Sequence, residues 1–421
     1  MVILIDLDGT LVDTAHDRFV AYKDGKKSFL LEEIPVFVGA VEFIKTLKKE
    51  GHNPIIVSDS HPRYVDPIAR KLFDVPAISL ADKPNLQKTN NFINKYSGLI
   101  KRYQNRDNFL LIGDTWLDIE LGRGLGIRTV LTSFYKPTNQ NIRDGIGDKL
   151  KHIKSGPTYY AKSYADILGI IEKQYENLLA LEAVFQGVNS IKAVNFKYSK
   201  YPNGFVAFRC LARQQGGECD RFARADKYFQ IDNPDRTQEL IKELAKGVTN
   251  YLVHVESIVE YSWDILTYVS DKKTTTPPQK MENIFKLVES TTPKVKLFTW
   301  SDDVKGSLRH HPDYKSRKDF IGNYLKTTDE ISLQNKNIII IDDQFTTSAT
   351  AHEISKQLRD KGAANILFIA MFYLILNVSN KTCPKCNEPL FLKIHKKKGS
   401  KFYSCLSPKF GGKGCGNKLN I

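Results

Sequence analysis

Cysteine is scarce and unevenly spread: the chain has six in 421 residues, and four of them lie beyond position 380. Such a distribution argues against a disulfide-held scaffold and for a metal site in a reducing compartment. Cys210 and Cys219 stand apart and read as ordinary thiols. Long apolar runs are also missing. The longest, Ile366–Leu376, is too short to span a bilayer, so no membrane segment is expected. The N-terminus shows no basic segment followed by an apolar one, hence no sign of a signal peptide, and a cytoplasmic location is expected. Acidic residues are in deficit, 47 against 62 Lys and Arg, giving a formal net charge of +15. That bias suits nucleic acid, an anionic surface or phosphorylated substrates, and says nothing about fold. No low-complexity linker marks a boundary, yet the length allows two or three domains with real cores.

What is present begins at Val2–Leu11, VILIDLDGTL. Four apolar residues run into Asp6, Asp8 follows two positions later, and Gly9 and Thr10 turn the chain. A short apolar run ending in a turn reads as a buried strand of a parallel sheet, with ligands expected beyond its carboxyl end. At alternating spacing Asp6 and Asp8 share a face, where their repulsion calls for a cation such as Mg2+ or for two different jobs. A polar stretch, Thr14–Leu31, comes next. Glu42–Glu50 reads as an amphipathic helix stopped at Gly51. Asn53–Ser58 is a second strand ending on a hydroxyl, with Asp59 and His61 read as local polar structure. Lys83-Pro84 lies in a loop before the helical Leu86–Ser97. Phe109–Asp114 (FLLIGD) and Gly126–Thr132 are further strands, with Asp118 four residues beyond Asp114. Strands alternating with helices imply a doubly wound parallel sheet.

The order DLDGTL, a hydroxyl after the next strand, Lys-Pro, then GDxxxD resembles the four motifs of the haloacid dehalogenase superfamily, most of whose members are Mg2+-dependent phosphatases. The resemblance covers 1–172, and Asp148–Ile171 is similar to that family's final strand and helix. It implies Asp6 as nucleophile, forming an aspartyl-phosphate, and Asp8 as general acid and base. It implies Ser58 and Lys83 on the phosphoryl oxygens, and Mg2+ held by Asp6, the main-chain carbonyl of Asp8, and Asp114, with Asp118 in support. The family's small-molecule enzymes usually carry a cap domain. The intervals from Asp13 to Ser58 and from Ser58 to Lys83 are too short for one, so the site is expected to be open or covered by another domain.

From 173 to 380 a second domain is expected. Ala180–Gly187 and Thr237–Val259 read as helices, Gly204–Arg213 as a strand, and Lys197–Tyr201 as polar lead-in. Asp264–Val269 and Lys294–Phe298 read as strands, and Met281–Glu289 as a helix. Then Asn337–Thr350, NIIIIDDQFTTSAT, puts Asp342 and Asp343 at the end of a buried strand, and a hydroxyl-rich loop leads into the helix Ala351–Asp360. Main-chain N–H groups at a helix start, with Thr346, Thr347, Ser348, Ala349 and Thr350, make a phosphate cradle, and the acidic pair can hold ribose hydroxyls or Mg2+. The stretch resembles the phosphoribosyl-pyrophosphate loop of type I phosphoribosyltransferases. With Arg317 ahead of it, 264–380 is similar to the ComF-like group. Ser348 departs from the family's glycine. The diphosphate loop is then expected at Ser270–Thr274, with Lys272 and Lys273, and Arg309, His310 and His311 lie in a flexible loop that reads as solvated.

In the tail, 381–421, Cys383-Pro-Lys-Cys386 with Cys405 and Cys415 suits a structural Zn2+ held by four thiolates, with a redox pair as the other reading. The segment CPKCNEPLFLKIHKKKGSKFYSC resembles the zinc ribbons of bacterial type I DNA topoisomerases. Lys396, Lys397, Lys398 and Lys401 interleave with Phe402 and Tyr403, as sequence-tolerant binding of single-stranded DNA requires. The expected fold class is therefore α/β: two doubly wound parallel-sheet domains, haloacid dehalogenase-like then phosphoribosyltransferase-like, plus a small zinc ribbon. The expected function is a Mg2+-dependent phosphatase acting on nucleotides or nucleic-acid ends, coupled to phosphoribosyl-pyrophosphate or nucleotide binding. Two alternatives stand beside it: a bifunctional salvage enzyme, and a nucleic-acid-binding regulator with a nucleotide sensor.

Overall fold

The computed structural model describes residues 1–14, 16–99, 108–134, 149–214, 234–258, 262–272, 279–304, 306, 308, 311, 314–374, 383–386, 390–394, 401–405 and 415–420. Contacts divide it into two compact units, the first built on Met1–Gln174 and the second on most of the chain from Tyr175 onward, the cysteine-bearing tail included. No helix among the described residues is long and apolar enough to cross a membrane.

The first unit is organised by the apolar runs. β1 (Val2–Ile5), β2 (Asn53–Val57), β3 (Ala77–Ile78), β4 (Phe109–Gly113), β5 (Arg128–Thr132) and β6 (Tyr159–Ala161) form one parallel sheet in the order β3-β2-β1-β4-β5-β6. β1 is central and buried on both faces, as its unbroken apolar sequence demands. Leu4 pairs with Ile55 on one side and with Leu111 on the other. The chain winds outward from β1 in both directions, which opens a crevice beyond the carboxyl ends of β1, β2 and β4. The helix Ala40–Lys49 turns Phe43, Ile44 and Leu47 inward and leaves its lysines outside.

The second unit holds a five-stranded sheet. β7 (Val194–Tyr201), β8 (Gly204–Gln214), β9 (Ile265–Tyr268), β12 (Ile338–Phe345) and β13 (Ile366–Leu374) lie in the order β7-β8-β13-β12-β9. Between β9 and β12, the short β10 (Phe298–Trp300) and β11 (Leu325–Thr327) pair with each other. β8, β13, β12 and β9 are parallel, and β7 is an antiparallel edge. β7 contains the polar Lys197–Tyr201, which the sequence gives no reason to place in a strand; an edge strand needs only one covered face. Lys294–Phe298 differs from expectation in another way. After Pro293 its start touches β9 only at a bridge from Lys294 to Leu266, and the strand proper begins at Phe298.

The long helix Pro234–Ile258 buries Ile241, Leu244, Ala245, Val248 and Leu252, at the three-and-four spacing of a helix laid on a core. A Cβ at Gly247 would sit 2.3 Å from Leu181 Cδ2, so only glycine lets the helix Ala180–Val184 approach this closely. That helix also brings Glu182 onto Arg213, both fully buried. Arg213 Nε and Nη2 donate to the two Glu182 oxygens at 2.6 and 2.8 Å. β14 (Leu390–Ile394), β15 (Lys401–Cys405) and β16 (Lys418–Asn420) make a separate antiparallel sheet.

The Glu182 carboxylate takes two of the Arg213 donors and the Arg213 main-chain N–H as well. Glu182→Gln removes its charge from a fully buried pair and is expected to destabilise the second unit by about 3–5 kcal/mol. Denaturant unfolding of the intact chain, followed by hydrogen exchange in β8 and β13, checks this. A loss below about 1 kcal/mol would contradict it.

Candidate active site

The loops beyond β1, β2 and β4 assemble the first cluster. Asp6 leaves β1 with its main-chain N–H still donating to Ile112 O at 2.8 Å, so the sheet itself fixes where the carboxylate starts. Lys83 Nζ donates to Asp6 Oδ1 and to Asp118 Oδ1, both at 2.6 Å, and all three side chains are buried. The Lys83 main-chain N–H donates to Asp59 Oδ1 at 2.8 Å, which seats the lysine loop. Asp118 Oδ2 accepts from Thr115 N at 3.1 Å and Thr115 Oγ1 at 2.8 Å, a capping box that opens the helix Trp116–Gly124. Asp114, next after β4, completes an acidic group: oxygens of Asp6, Asp114 and Asp118 all lie within 4.8 Å of one another. Gly9, at φ +89°, makes room for it, since a Cβ there would sit 2.2 Å from Asp114 Oδ2.

Asp8 belongs to a different set of partners. Its Oδ1 accepts from Thr14 Oγ1 at 2.6 Å and Tyr64 Oη at 3.0 Å, and Lys23 Nζ lies 3.1 Å away. Its Oδ2 accepts from Ser60 Oγ at 3.1 Å and Ser58 Oγ at 3.4 Å. Each carboxylate is desolvated by burial and faces one lysine, and the hydroxyls around Asp8 set the two apart. Burial pushes Asp6 well above the usual carboxylate range, against the pull of Lys83. Burial also opposes ionisation of Asp8, but Lys23 and the hydroxyls override it and hold that carboxyl below its ordinary value. Burial and the neighbouring Asp118 push Asp114 up to about 7. Lys83, which burial alone would neutralise, is kept protonated by Asp118 and Asp6.

Three carboxylates against one ammonium leave negative charge in excess. Among the described residues Asp114 Oδ1 is buried with no hydrogen-bond partner. Hard oxygen donors, excess negative charge and an unsatisfied oxygen fit Mg2+, with Asp6 and Asp114 as holders. Asp118 is committed to Lys83 and Thr115 and acts as support. The Asp8 side chain lies outside the acidic group, so any part it takes with a metal falls to its carbonyl.

The second cluster sits where β12 meets the helix Ala349–Asp360. The strand runs past the acidic pair to Phe345, and the helix starts two residues earlier than the sequence suggests, at Ala349. Asp342 is buried, and its Oδ1 accepts the Asp343 N–H at 2.9 Å. Burial, then the neighbouring Asp343, drives its pKa well above the usual value. Asp343 is ion-paired with Lys280. Arg317 Nη1 donates to Thr346 Oγ1 at 2.7 Å, bringing that arginine to the loop, while Nε holds His311 O at 2.9 Å. Thr347 and Thr350 flank Ser348, whose φ of +66° is the left-handed conformation that glycine serves best. Lys272 is not joined to the acids. Its ammonium lies 4.5 and 4.2 Å from the ring centroids of Trp300 and Phe320, and burial lowers its pKa to about 8. Lys273, Arg309 and His310 lie outside the described residues.

In the tail, Cys383, Cys386, Cys405 and Cys415 bring their sulfurs within 4.8 Å of one another. Cys383 and Cys415 are 3.6 Å apart and Cys386 and Cys405 3.3 Å, too far for disulfides. A tetrahedron with Zn–S bonds of about 2.3 Å has edges of about 3.8 Å, so the four thiols suit one tetrahedral ion. Tyr403 packs on the small core of Cys383, Leu390 and Cys405, whereas Phe402 points to the opposite face, with Lys418 Nζ 5.8 Å from its ring centroid. Lys401 is placed on β15; Lys396, Lys397 and Lys398 lie outside the described residues.

No family model and no curated protein matches the sequence. Among solved structures the chain is similar to a predicted phosphoglycolate phosphatase of Haemophilus somnus 129PT, at 16% identity and TM-score 0.30, covering 40% of this chain and 97% of that one. It is also similar to a haloacid dehalogenase-like family protein of Streptococcus pneumoniae, at 16% identity and TM-score 0.29 over 40% and 97% of the two chains. A hydrolase from Pseudomonas syringae aligns at 17% identity and TM-score 0.31 over 41% and 98%.

Several contributors have no motif to announce them. Lys23 and Tyr64, which grip Asp8, come from a polar stretch and from a helix face. Ser60 follows Ser58 by two positions, and that pair of hydroxyls after β2 is visible in the sequence. Lys280 reaches Asp343 from the start of the helix Lys280–Leu287. Lys418 reaches Phe402 only through strand pairing.

The backbone at Ser348 can be tested directly. Ser348→Gly removes a left-handed penalty of about 1–2 kcal/mol and restores chain entropy to the unfolded state, so stability should hold or rise slightly. Ser348→Val should lower it. Urea unfolding decides; a loss above about 1 kcal/mol in the glycine variant would contradict the geometry.

Proposed function

We propose that the first unit is a Mg2+-dependent phosphoric monoester hydrolase of the haloacid dehalogenase type, acting on nucleotides or nucleic-acid ends. One observation carries this: two carboxylates two residues apart, Asp6 and Asp8, are held by separate sets of partners, Asp6 by Lys83 and Asp8 by Lys23 and four hydroxyls. Asp6 is the nucleophile. One of its oxygens bonds to phosphorus as the bond from phosphorus to the ester oxygen breaks, giving an aspartyl-phosphate. Asp8 delivers a proton to the leaving oxygen; the approaching phosphate dianion raises its proton affinity against the pull of Lys23. Asp8 then takes a proton from the water that attacks phosphorus, releasing inorganic phosphate and restoring Asp6. Lys83, gripped by Asp118, keeps its place while Asp6 turns to phosphorus, and with Ser58 it binds the phosphoryl oxygens. Magnesium, when bound at Asp6 and Asp114, supplies charge neutralisation to those oxygens.

The second unit is assigned a phosphoribosyl-pyrophosphate or nucleotide site at Asp342, Asp343 and 346–350, with Arg317 at its edge. Lys280 is paired with one Asp343 oxygen, and the other, which meets no donor among the described residues, can accept from a ribose hydroxyl. The salvage-enzyme and nucleotide-sensing alternatives both use this site. The tail is assigned a structural Zn2+ and contact with single-stranded DNA through Phe402 and the neighbouring cations. Reduced thiols suit a cytoplasmic protein.

Asp6→Asn is expected to abolish Mg2+-dependent hydrolysis of phosphate monoesters with the fold intact, an amide being too weak a nucleophile. Turnover by purified wild type and variant on a panel of free nucleotides and 3′- or 5′-phosphorylated oligonucleotides provides the test. Near wild-type activity in the variant would remove Asp6 from its role.

A further inference from the structure

Beside the Asp8 partners lies a groove of about 510 Å³. One wall is the segment 25–32, carrying Lys26, Lys27 and Phe29. The other is Arg63, Pro67 and Lys71, spaced four apart along the helix Pro62–Ile68 and the π-helical turn Ala69–Phe73. Pro67 has no N–H to give to the helix, which widens into the π-helical turn from Ala69.

Both walls are tied to the candidate active site. Lys23 precedes the first wall and Tyr64 sits within the second; each contacts Asp8 Oδ1. His61 N donates to Lys23 O at 2.7 Å, and Phe29 packs between the Tyr22 and Tyr64 rings at 5.6 and 5.4 Å. Ser60, three residues before Arg63, also donates to Asp8. Phe29 in the groove and Asp8 in the site are thus separated by the one buried ring of Tyr64.

Its lining carries four cations against one carboxylate, Glu32. Lys26 is paired with Asp24 at 3.0 Å, and Lys27 lies 5.1 Å from the Tyr22 ring centroid. Among the described residues Arg63 and Lys71, both exposed, have no ion-pair partner. A nucleoside monophosphate spends its only phosphate at Asp6 and leaves nothing anionic for these side chains. Arg63 to Lys71 spans about 12 Å of helix, the scale of successive phosphates rather than of one group.

We propose that the groove binds the phosphodiester backbone of a single nucleic-acid strand whose phosphorylated end is delivered to Asp6, a substrate class that rests on reading Asp6 as a phosphatase nucleophile. Lys27, Arg63 and Lys71 contact successive phosphates, and Phe29 with the exposed Leu30 offers an apolar surface to a base.

The test separates binding from turnover. In full-length Asp6→Asn with Mg2+, anisotropy of a labelled, end-phosphorylated oligodeoxythymidylate is measured over a range of salt. Adding Arg63→Gln and Lys71→Gln should lower the slope of log K against log salt by about 1.4, two contacts at roughly 0.7 each. In the Asp6-intact chain, the same two changes should cut kcat/KM on that oligonucleotide about tenfold and leave a small chromogenic phosphate unaffected. Unchanged slope and unchanged kcat/KM would overturn the proposal. So would an equal loss on the small phosphate, which would mean that these residues support the site itself. A nucleoside triphosphate that shows the same sensitivity as the strand would assign the groove to short polyphosphates and overturn it too. No turnover on any phosphate, with the slope still reduced, would sink the phosphatase reading and leave the groove as a strand site.

Discussion

The contact on which the first unit depends is Lys83 between Asp6 and Asp118. It joins three loops that leave the sheet at different strands, and it sits where water is excluded. One ammonium cannot balance Asp6, Asp114 and Asp118, and the shortfall has a location: the unpartnered Asp114 oxygen, with a carboxyl pushed up to about 7 by burial and by Asp118. An ion pair buried this deeply contributes little net stability, because desolvation offsets the attraction. Its role is placement. Held from two sides, Lys83 keeps Asp6 aimed beyond the end of β1 and leaves the charge deficit that a divalent cation would fill.

Asp8 shows the same logic with the opposite sign. Five polar groups from four places in the unit converge on one carboxylate, and among the described residues none of them donates to Asp6. Separating two neighbouring carboxylates by environment gives them different proton affinities, as the two roles proposed for them require. The backbone makes the separation possible, since Gly9 turns sharply enough for Asp114 to occupy the space under it.

Much of this is legible in the sequence. Asp6, Ser58 and Asp114 each follow an apolar run, so a parallel sheet must gather them at one edge whatever the intervening helices do. Lys83 and Asp118 are legible through motif order. Lys23 and Tyr64 are not, because they reach Asp8 from a polar stretch and a helix face whose packing is a tertiary matter. In the second unit the strand IIIIDD is plain, but the polar edge strand at 194–201 is hidden, having one face to satisfy instead of two. Lys272 stands in the expected loop, yet packs against Trp300 and Phe320; a lysine stem finds apolar cover wherever aromatic rings offer it. In the tail, cysteine spacing announces the cluster, while the division of Phe402 and Tyr403 between outer face and core comes from strand alternation. That alternation is set by pairing with β14, which no single stretch of sequence displays.

The central claim is a covalent step at one oxygen of one residue. The direct measurement is rapid quenching of the enzyme during turnover of a small phosphate monoester with Mg2+, then borohydride reduction and peptide mass spectrometry. Borohydride converts an acyl-phosphate to the alcohol, so the account predicts homoserine at position 6 and unmodified aspartate at position 8. Reduction at Asp8, or turnover with no trapped residue at all, would contradict it.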